Sequence, residues 1–284
     1  MKKKILFVIL MLVSTTAYAV PVSSGLVLQL DGSNVTAAES DGQMLVSSWN
    51  DQAGTSDNFI QTLSTEMPKL ITGGLNGYNT ISFDGVSGSD DILQLEDVAA
   101  TALNPDTGGF TVFIVAKINS NTSGNYLFRK GNYASAADEG WSIFTDGTRI
   151  LSRIDAGNIN DTAHKAGIQS SMTEIWGEWF VYSFVLDGSL MTGYLNGNSG
   201  TGYADGVYTG SISPEDSAFL GVNTNGEMAE VLVYNRALSS TEQNTVGYYL
   251  ENKYDLDTVY VPEPTTISLM SMGLIALLKG RKNI

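Results

Sequence analysis

The sequence predicts an all-β fold of antiparallel strands finished by one short helix. Three observations carry this. Apolar residues alternate with period two in segment after segment, as half-buried strands require. Turn dipeptides separate those segments. Thirty of the 284 residues are glycine, about one in nine against a usual ~7%. No Pro/Ser-rich linker interrupts residues 20–258, so they read as one domain without internal repeats.

The strands follow in order. Leu26, Leu28 and Leu30 alternate with Val27, Gln29 and Asp31. Phe110 to Ile118 (FTVFIVAKI) is rich in β-branched and aromatic residues. Trp141 to Phe144, Trp179 to Val185, Leu190 to Leu195 and Met228 to Tyr234 complete the set. Asp84-Gly85, Asp146-Gly147, Asp187-Gly188, Asn196-Gly197 and Asn225-Gly226 read as turns. The segment VLDGSLMTGYLNG is therefore a hairpin. Near the end, Ser239 to Glu242 is a capping box, and Val246, Tyr249, Leu250 and Lys253 follow at i, i+3, i+4 and i+7. That spacing predicts an amphipathic helix laid on the strands, with the Lys253 stem on its apolar side.

Composition excludes several chemistries. Hydrophobic residues make up 43% and charged residues 16% of the chain, and cysteine is absent. The chain can pack a core but cannot use disulfides, thiolates, zinc fingers or iron–sulfur clusters. His164 is the single histidine and lies in a polar stretch that reads as a solvated loop. Of 15 bases and 30 acids, six bases and one acid lie in the terminal segments. Residues 20–261 thus hold 29 acids against 9 bases, a net of −20. Such a body repels phosphate backbones, so nucleic acid is not expected as a partner.

The two ends read as addresses. Lys2, Lys3 and Lys4 precede a nine-residue apolar run, Ile5 to Val13, and Ala17-Tyr18-Ala19 fits the A-x-A cleavage pattern. Residues 1–19 are expected to be a signal peptide, cut by signal peptidase between Ala19 and Val20. At the other end, Val261-Pro262-Glu263-Pro264 cannot continue a helix or central strand. Thr265 to Leu278 is uncharged and, as a helix, spans about 21 Å against a hydrocarbon core of about 30 Å. Lys279, Arg281 and Lys282 close it as a positive-inside stop.

Residues 261–284 resemble the PEP-CTERM sorting signal of diderm bacteria, with the Pro-Glu-Pro core, short transmembrane helix and basic end in order. The resemblance implies an exosortase as processing partner. It also implies transient retention in the inner membrane through the C-terminal helix, then release or attachment at the cell surface or in the extracellular matrix.

The domain between the ends resembles the laminin-G-like or concanavalin-A-like lectin/glucanase family over about residues 25–255. The strings that carry this are GLVLQLDG, W-x-D-x-x-G at Trp49 to Gly54, ISFDG, FTVFIVAK, GWSIF, GEWFVYSFVLDG, GYLNG, AFLG and GEMAEVLVYNRALSSTE. The resemblance implies a jelly roll, two antiparallel sheets packed face to face.

Jelly-roll glucanases carry E-x-D-x-x-E on one strand, so that acid, nucleophile and supporting Asp share a cleft. This chain lacks that string and lacks a G-x-S-x-G elbow. Glu227 and Glu230 are three apart, which on a regular strand predicts opposite faces. An enzyme is therefore the least favoured reading. The favoured one is an exported, non-catalytic carbohydrate-binding or adhesion module; the alternative is a structural matrix component without a discrete ligand. Sugar sites pair aromatic platforms with hydrogen-bonding groups, and the loop aromatics are Tyr78, Tyr133, Tyr203 and Tyr208. Trp49, Trp141 and Trp179 read as core. No cofactor is required. The one metal that the resemblance suggests is calcium at a rim of the sandwich, on Asp138, Glu139, Asn223 and Asn225, whose oxygens suit that ion.

Overall fold

The structure is a computed structural model and describes residues 19–86, 90–95, 100–105, 109–119, 123–131, 139–156, 165–171, 175–202 and 217–261. In chain order the strands begin with β1 (Leu26–Ser40), β2 (Gln43–Asp51), β3 (Phe59–Ile60), β4 (Lys69–Leu75), β5 (Tyr78–Asp84) and β6 (Leu93–Leu95). There follow β7 (Phe110–Ile118), β8 (Ser123–Gly131), β9 (Glu139–Asp146), β10 (Arg149–Ala156), β11 (Lys165–Ser171) and β12 (Trp179–Asp187). The set ends with β13 (Leu190–Leu195), β14 (Asn198–Ser199), β15 (Thr201–Gly202), β16 (Ala218–Leu220) and β17 (Asn225–Tyr234), then helix α1 (Ser240–Tyr254).

Pairing sorts these strands into two antiparallel layers. In the first, β17 is central. One of its edges takes β5 along Asn225–Met228 and β1 along Glu230–Tyr234. Its other edge takes β7, followed by β12, β13 and β14. The second layer runs β2, β3, β6, β16, β8, β9, β10, β11, β15. Strand β4 joins β5 of the first layer to β2 of the second. Strand β1 belongs to both. Its first half pairs β17, and its second half, from Val35, pairs β2. This is the jelly-roll sandwich with one C-terminal helix that the sequence predicts.

The core lies between the layers. Leu28, Leu30, Ile81, Ile114, Val231 and Val233 face it from the first layer, and Trp141, Ile143 and Ile154 from the second. Trp141 is its hub. Phe128, Phe110 and Phe184 surround the indole with ring centroids at 4.7, 5.3 and 6.0 Å, and its Nε1–H donates to the Leu103 carbonyl at 2.8 Å. Trp49 is equally buried and donates to the Asp31 carbonyl at 2.8 Å. Trp179 departs from its expected place: it is half-buried on the outer side of the first layer, with the Lys117 ammonium 5.2 Å from its ring.

Hairpin turns follow the dipeptide rule. Asn196-Gly197 joins β13 to β14 with both φ angles positive, +50° and +82°, which suits Asn-Gly in a type I′ turn. Asn225-Gly226 differs from the turn expected of it. Both residues lie in β17, and a Cβ on Gly226 would come 2.3 Å from the Lys117 carbonyl oxygen. Close approach of β7 sets this glycine, not a turn.

Helix α1 packs on the outer side of the first layer. Its capping box forms as predicted: Ser239 Oγ accepts from the Glu242 N–H at 3.3 Å, and Glu242 Oε2 accepts from the Ser239 N–H at 3.0 Å. Val246, Tyr249, Leu250, Lys253 and Tyr254 are buried against Phe113, Val115, Val181, Leu232 and Tyr234. Among the described residues no helix is long and apolar enough to cross a membrane. The expected signal peptide, residues 1–18 at least, and the tail from Pro262 onward lie outside the described residues. Ala19 and Val20 precede β1, and Val261 is exposed.

Candidate functional site

The first-layer acids need a correction. Strand β17 carries a β-bulge: Met228 pairs Ala116 while Glu230 pairs Val115, so Ala229 is the extra residue. The bulge resets the alternation and turns Glu227, Ala229 and Glu230 to the helix side, not to opposite faces as regular spacing predicts. Both acids are already engaged. Glu227 accepts from Thr80 Oγ1 at 2.6 Å and pairs with Lys117 at 2.5 Å. Glu230 is fully buried; it accepts from Tyr249 and Tyr254 hydroxyls at 2.9 Å each and from Lys253 Nζ at 2.8 Å. Asp31 also bonds Lys253. Burial pushes the Glu230 carboxyl up, against the pull of Lys253. Burial also works to raise Asp31, but Lys253 and Ser33 hold it below the usual range.

Tyr78 belongs to this cluster. Its ring meets Tyr254 edge-on at 5.1 Å and lies 5.8 Å from Lys253 Nζ. It is packing for the helix rather than a loop platform. Tyr133, Tyr203 and Tyr208 lie outside the described residues, as do Asp138 and His164.

Among the expected calcium ligands, the backbone sets Glu139 apart from Asn223 and Asn225, and Asp138 lies outside the described residues. Glu139 starts β9 opposite Ala156, beside the Gly140–Gly131 pair at the end of β8. Asn223 and Asn225 lie at the other end of β8, where the Tyr126 N–H donates to the Val222 carbonyl and the Asn225 N–H to Asn125 Oδ1. Five residues of strand separate these ends, about 16 Å at about 3.3 Å per residue. Among the described residues no three His, Asp or Glu side chains form a metal-holding group.

The outward face of the second layer is built differently. Strand alternation sends Trp141, Ile143, Ile150, Ser152 and Ile154 inward and Ser142, Phe144, Leu151 and Arg153 outward. Register then aligns the outward residues across the strands. One row reads Ile60, Gln94, Phe219, Arg129, Ser142, Arg153. The next reads Tyr126, Phe144, Leu151, Gln169. Tyr126 and Arg129 share this face, although three apart, because the β8–β9 register shifts between Tyr126 and Phe128. Tyr126 stacks on Phe144 at 5.4 Å and 25°. The Arg129 guanidinium sits between Phe219 and Tyr126, 5.0 and 5.7 Å from their ring centroids. The face thus sets half-buried rings beside amide and guanidinium groups, with Ser142 and Leu151 buried among them.

Two concavities flank the rows. Beside Arg129, a cavity of about 220 Å³ is lined by Glu66, Asp90, Ile92, Arg129, Phe219 and Val222. Burial raises the Asp90 carboxyl, and Asp84 and Glu66 add to this against the Asn223 N–H. Beyond Gln169, a groove of about 520 Å³ opens at the sandwich edge between Ser170, Ile175, Leu195 and Asn198. Neither the aromatic rows nor Arg129 was singled out from sequence. The available signal was Ser142 and Phe144 alternating with Trp141 and Ile143: a large ring on the side that an isolated sandwich leaves to solvent.

No family model and no curated protein matches the chain. Solved structures do match in fold. The binding domain of botulinum neurotoxin serotype D superposes with a TM-score of 0.54 at 12% identity, over 80% of this chain and 51% of that one. The binding domain of Paraclostridial Mosquitocidal Protein 1 gives 0.53 at 15% identity, over 79% and 52%. A structure of botulinum neurotoxin type C gives 0.54 at 12% identity, over 80% and 51%. The chain therefore spans about half the length of the structures it matches, and the likeness is one of fold.

Proposed function

We propose that the domain is a non-catalytic module that binds extracellular glycan on the outward face of its second layer. The observation that carries this is the pair of cross-strand rows, which set half-buried Tyr126, Phe144 and Phe219 beside Gln94, Arg129 and Gln169 on one outward face. Sugars present apolar ring faces edged by hydroxyls, so rings flanked by donors and acceptors complement them. The botulinum neurotoxin type C structure concerns interaction with two ganglioside molecules. That protein is about twice as long as the matched part, so it supports a glycan reading in general terms and assigns no residue here.

Around this module we place the sorting signals: signal-peptidase cleavage after Ala19, export, then exosortase processing at Val261-Pro262-Glu263-Pro264 with residence at the cell surface or in matrix. The sequence of the two ends supports this part. The experiment is a glycan array probed with the full chain and with a Tyr126→Ala/Phe144→Ala variant. Binding by the wild type and its loss in the variant are expected. Equal array patterns for the two would overturn the assignment of the face.

A further inference from the structure

The chain that leaves helix α1 runs back along it toward the expected sorting motif. Asp255 ends the helix in the left-handed region, with φ and ψ both 52°, which reverses the chain. The Leu256 N–H donates to the Glu251 carbonyl at 3.0 Å, and Thr258 Oγ1 donates to Glu251 Oε2. The Val259 N–H donates to the Asn196 carbonyl at 3.1 Å. The Tyr260 ring is seated on Gly247, where a Cβ would come within 2.3 Å of it, and the residue is 7% exposed. At Val261 the Asn244 amide closes the run: its Nδ2 donates to the Val261 carbonyl at 2.6 Å, and its Oδ1 accepts from the Val261 N–H at 3.2 Å. The contacts thus step from Glu251 through Gly247 to Asn244, about two turns of helix.

Asn244 therefore occupies both backbone groups of the first residue of Val261-Pro262-Glu263-Pro264. Proline has no N–H, so Val261 and Glu263 carry the only backbone donors of that motif. An enzyme that reads an extended peptide does so largely through main-chain hydrogen bonds, and here the first are taken. Reach is limited too. From Val261 to Thr265, where the apolar tail begins, an extended chain covers at most about 14 Å; from Asp255 it covers about 35 Å. We propose that residues 256–261 are a strap that masks the sorting motif, so that the tail is cut only in molecules whose strap has opened. The inference rests on the sorting reading of the two ends and adds to it control by the folded domain. The strap joins no sheet ladder, and a cavity of about 170 Å³ lies beside it between Tyr194, Gln243, Asn244, Val259 and Tyr260. Its release leaves the core between the layers untouched, as low-cost local opening requires. Where opening and closing outpace cleavage, the rate follows the open population.

The test follows the full chain in its native host by pulse-labelling, with mass spectrometry of the tail. Asn244→Ala removes both clamps on Val261, and Tyr260→Ala removes the seated ring. A third variant inserts Gly-Ser-Gly-Ser-Gly-Val after Val261. It leaves every strap contact in place yet presents an unclamped Val-Pro-Glu-Pro farther from the body. Asn244→Ala and Tyr260→Ala are cut at least about fivefold faster than wild type, the size expected for two lost hydrogen bonds or a lost buried ring. The insertion variant is cut faster by a similar factor, and adding Asn244→Ala to it changes the rate by less than about twofold, because both act on one step. Wild-type rates in Asn244→Ala and in the insertion variant overturn the strap while the sorting reading stands. So does acceleration by the insertion alone, since distance and not the Asn244 clamp would then set the rate. Slower cutting in Asn244→Ala overturns it as well, because the strap would then present the motif. If the wild-type tail is never removed, the sorting reading falls and the strap with it.

Discussion

Lys253 Nζ lies 2.8 Å from Glu230 Oε2, and the two side chains are 4% and 0% exposed. The pair ties helix α1 to the bulged stretch of β17, with Asp31 and the Tyr249 and Tyr254 hydroxyls completing the shell. A buried ion pair adds little over a well-packed apolar substitute, but removing one partner leaves the other charge stranded. Lys253→Met is expected to cost about 3–5 kcal/mol. Glu230→Gln is expected to cost less, because Asp31 still balances Lys253 and the amide oxygen still accepts from a tyrosine. Chemical denaturation of both variants checks the order; a larger loss in Glu230→Gln would contradict it.

The same cluster sets the alkaline limit. Burial works to lower Lys253, but Glu230 and Asp31 outweigh it and hold the ammonium above its ordinary 10.5. A group whose pKa rises on folding stabilises the fold below its unfolded value and loses that contribution as pH rises through the folded one. Burial likewise raises Tyr249 and Tyr254, and Tyr260 to about 12. All four act in one direction, so thermal stability should fall steeply above about pH 10. In Lys253→Met that alkaline slope should be shallower.

Acid acts on other groups. Arg236, at 2.7 and 2.9 Å, and the Ser239 N–H pull Glu242 down to about 2. Asp31 is also lowered. Carboxyls of this kind stabilise above their ordinary values, and the contribution is lost as pH falls toward the folded pKa. Glu230, raised by burial, works oppositely and softens the loss. Glu242 is partly solvated, so its share is small. Melting temperature should decline from about pH 4.5 toward pH 2, with a smaller decline in Glu242→Gln.

Gly247 inverts the usual helix rule. Alanine for glycine inside a helix normally stabilises by about 1 kcal/mol. Here a Cβ would meet the Tyr260 ring at 2.3 Å. Tyr260 is 7% exposed, and the chain around it is tied by the Val259 N–H to the Asn196 carbonyl and by Asn244 to Val261. Gly247→Ala is therefore expected to lower the melting temperature and expose residues 258–261 to proteolysis. A higher melting temperature would contradict this packing.

The processing proposal has its own check. Mass spectrometry of the protein from its native host should find an N-terminus at Val20 and loss of residues beyond about 264. Intact residues 265–284 on surface-exposed protein would replace the exosortase reading with a plain membrane tail.

Much of the fold was legible in sequence because it rests on local pattern. Period-two alternation of Leu26, Leu28 and Leu30 marked β1, β-branched and aromatic content marked β7, and Ser239 with Glu242 marked the helix start. The bulge at Ala229 was not legible, since one extra residue leaves no trace in composition yet turns Glu230 toward Lys253. The candidate face was hidden for a related reason. Tyr126, Phe144 and Phe219 come from three separate strands, and only their register puts them side by side. Tyr78 reads as a loop platform because the sequence does not reveal the Tyr254 ring packed on it.

The central claim is that the rows through Phe144 and Phe219 hold glycan. The most direct test takes the tightest glycan found on the array and measures its dissociation constant by calorimetry with wild type, Tyr126→Ala, Phe144→Ala and a control. The control is Leu190→Ala, at a 69% exposed residue of β13 in the first layer. Loss of base-level aromatic stacking predicts a weakening of at least about fivefold in the two ring variants, from about 1 kcal/mol per ring, and none in the control. Equal affinity across all four proteins would contradict the account.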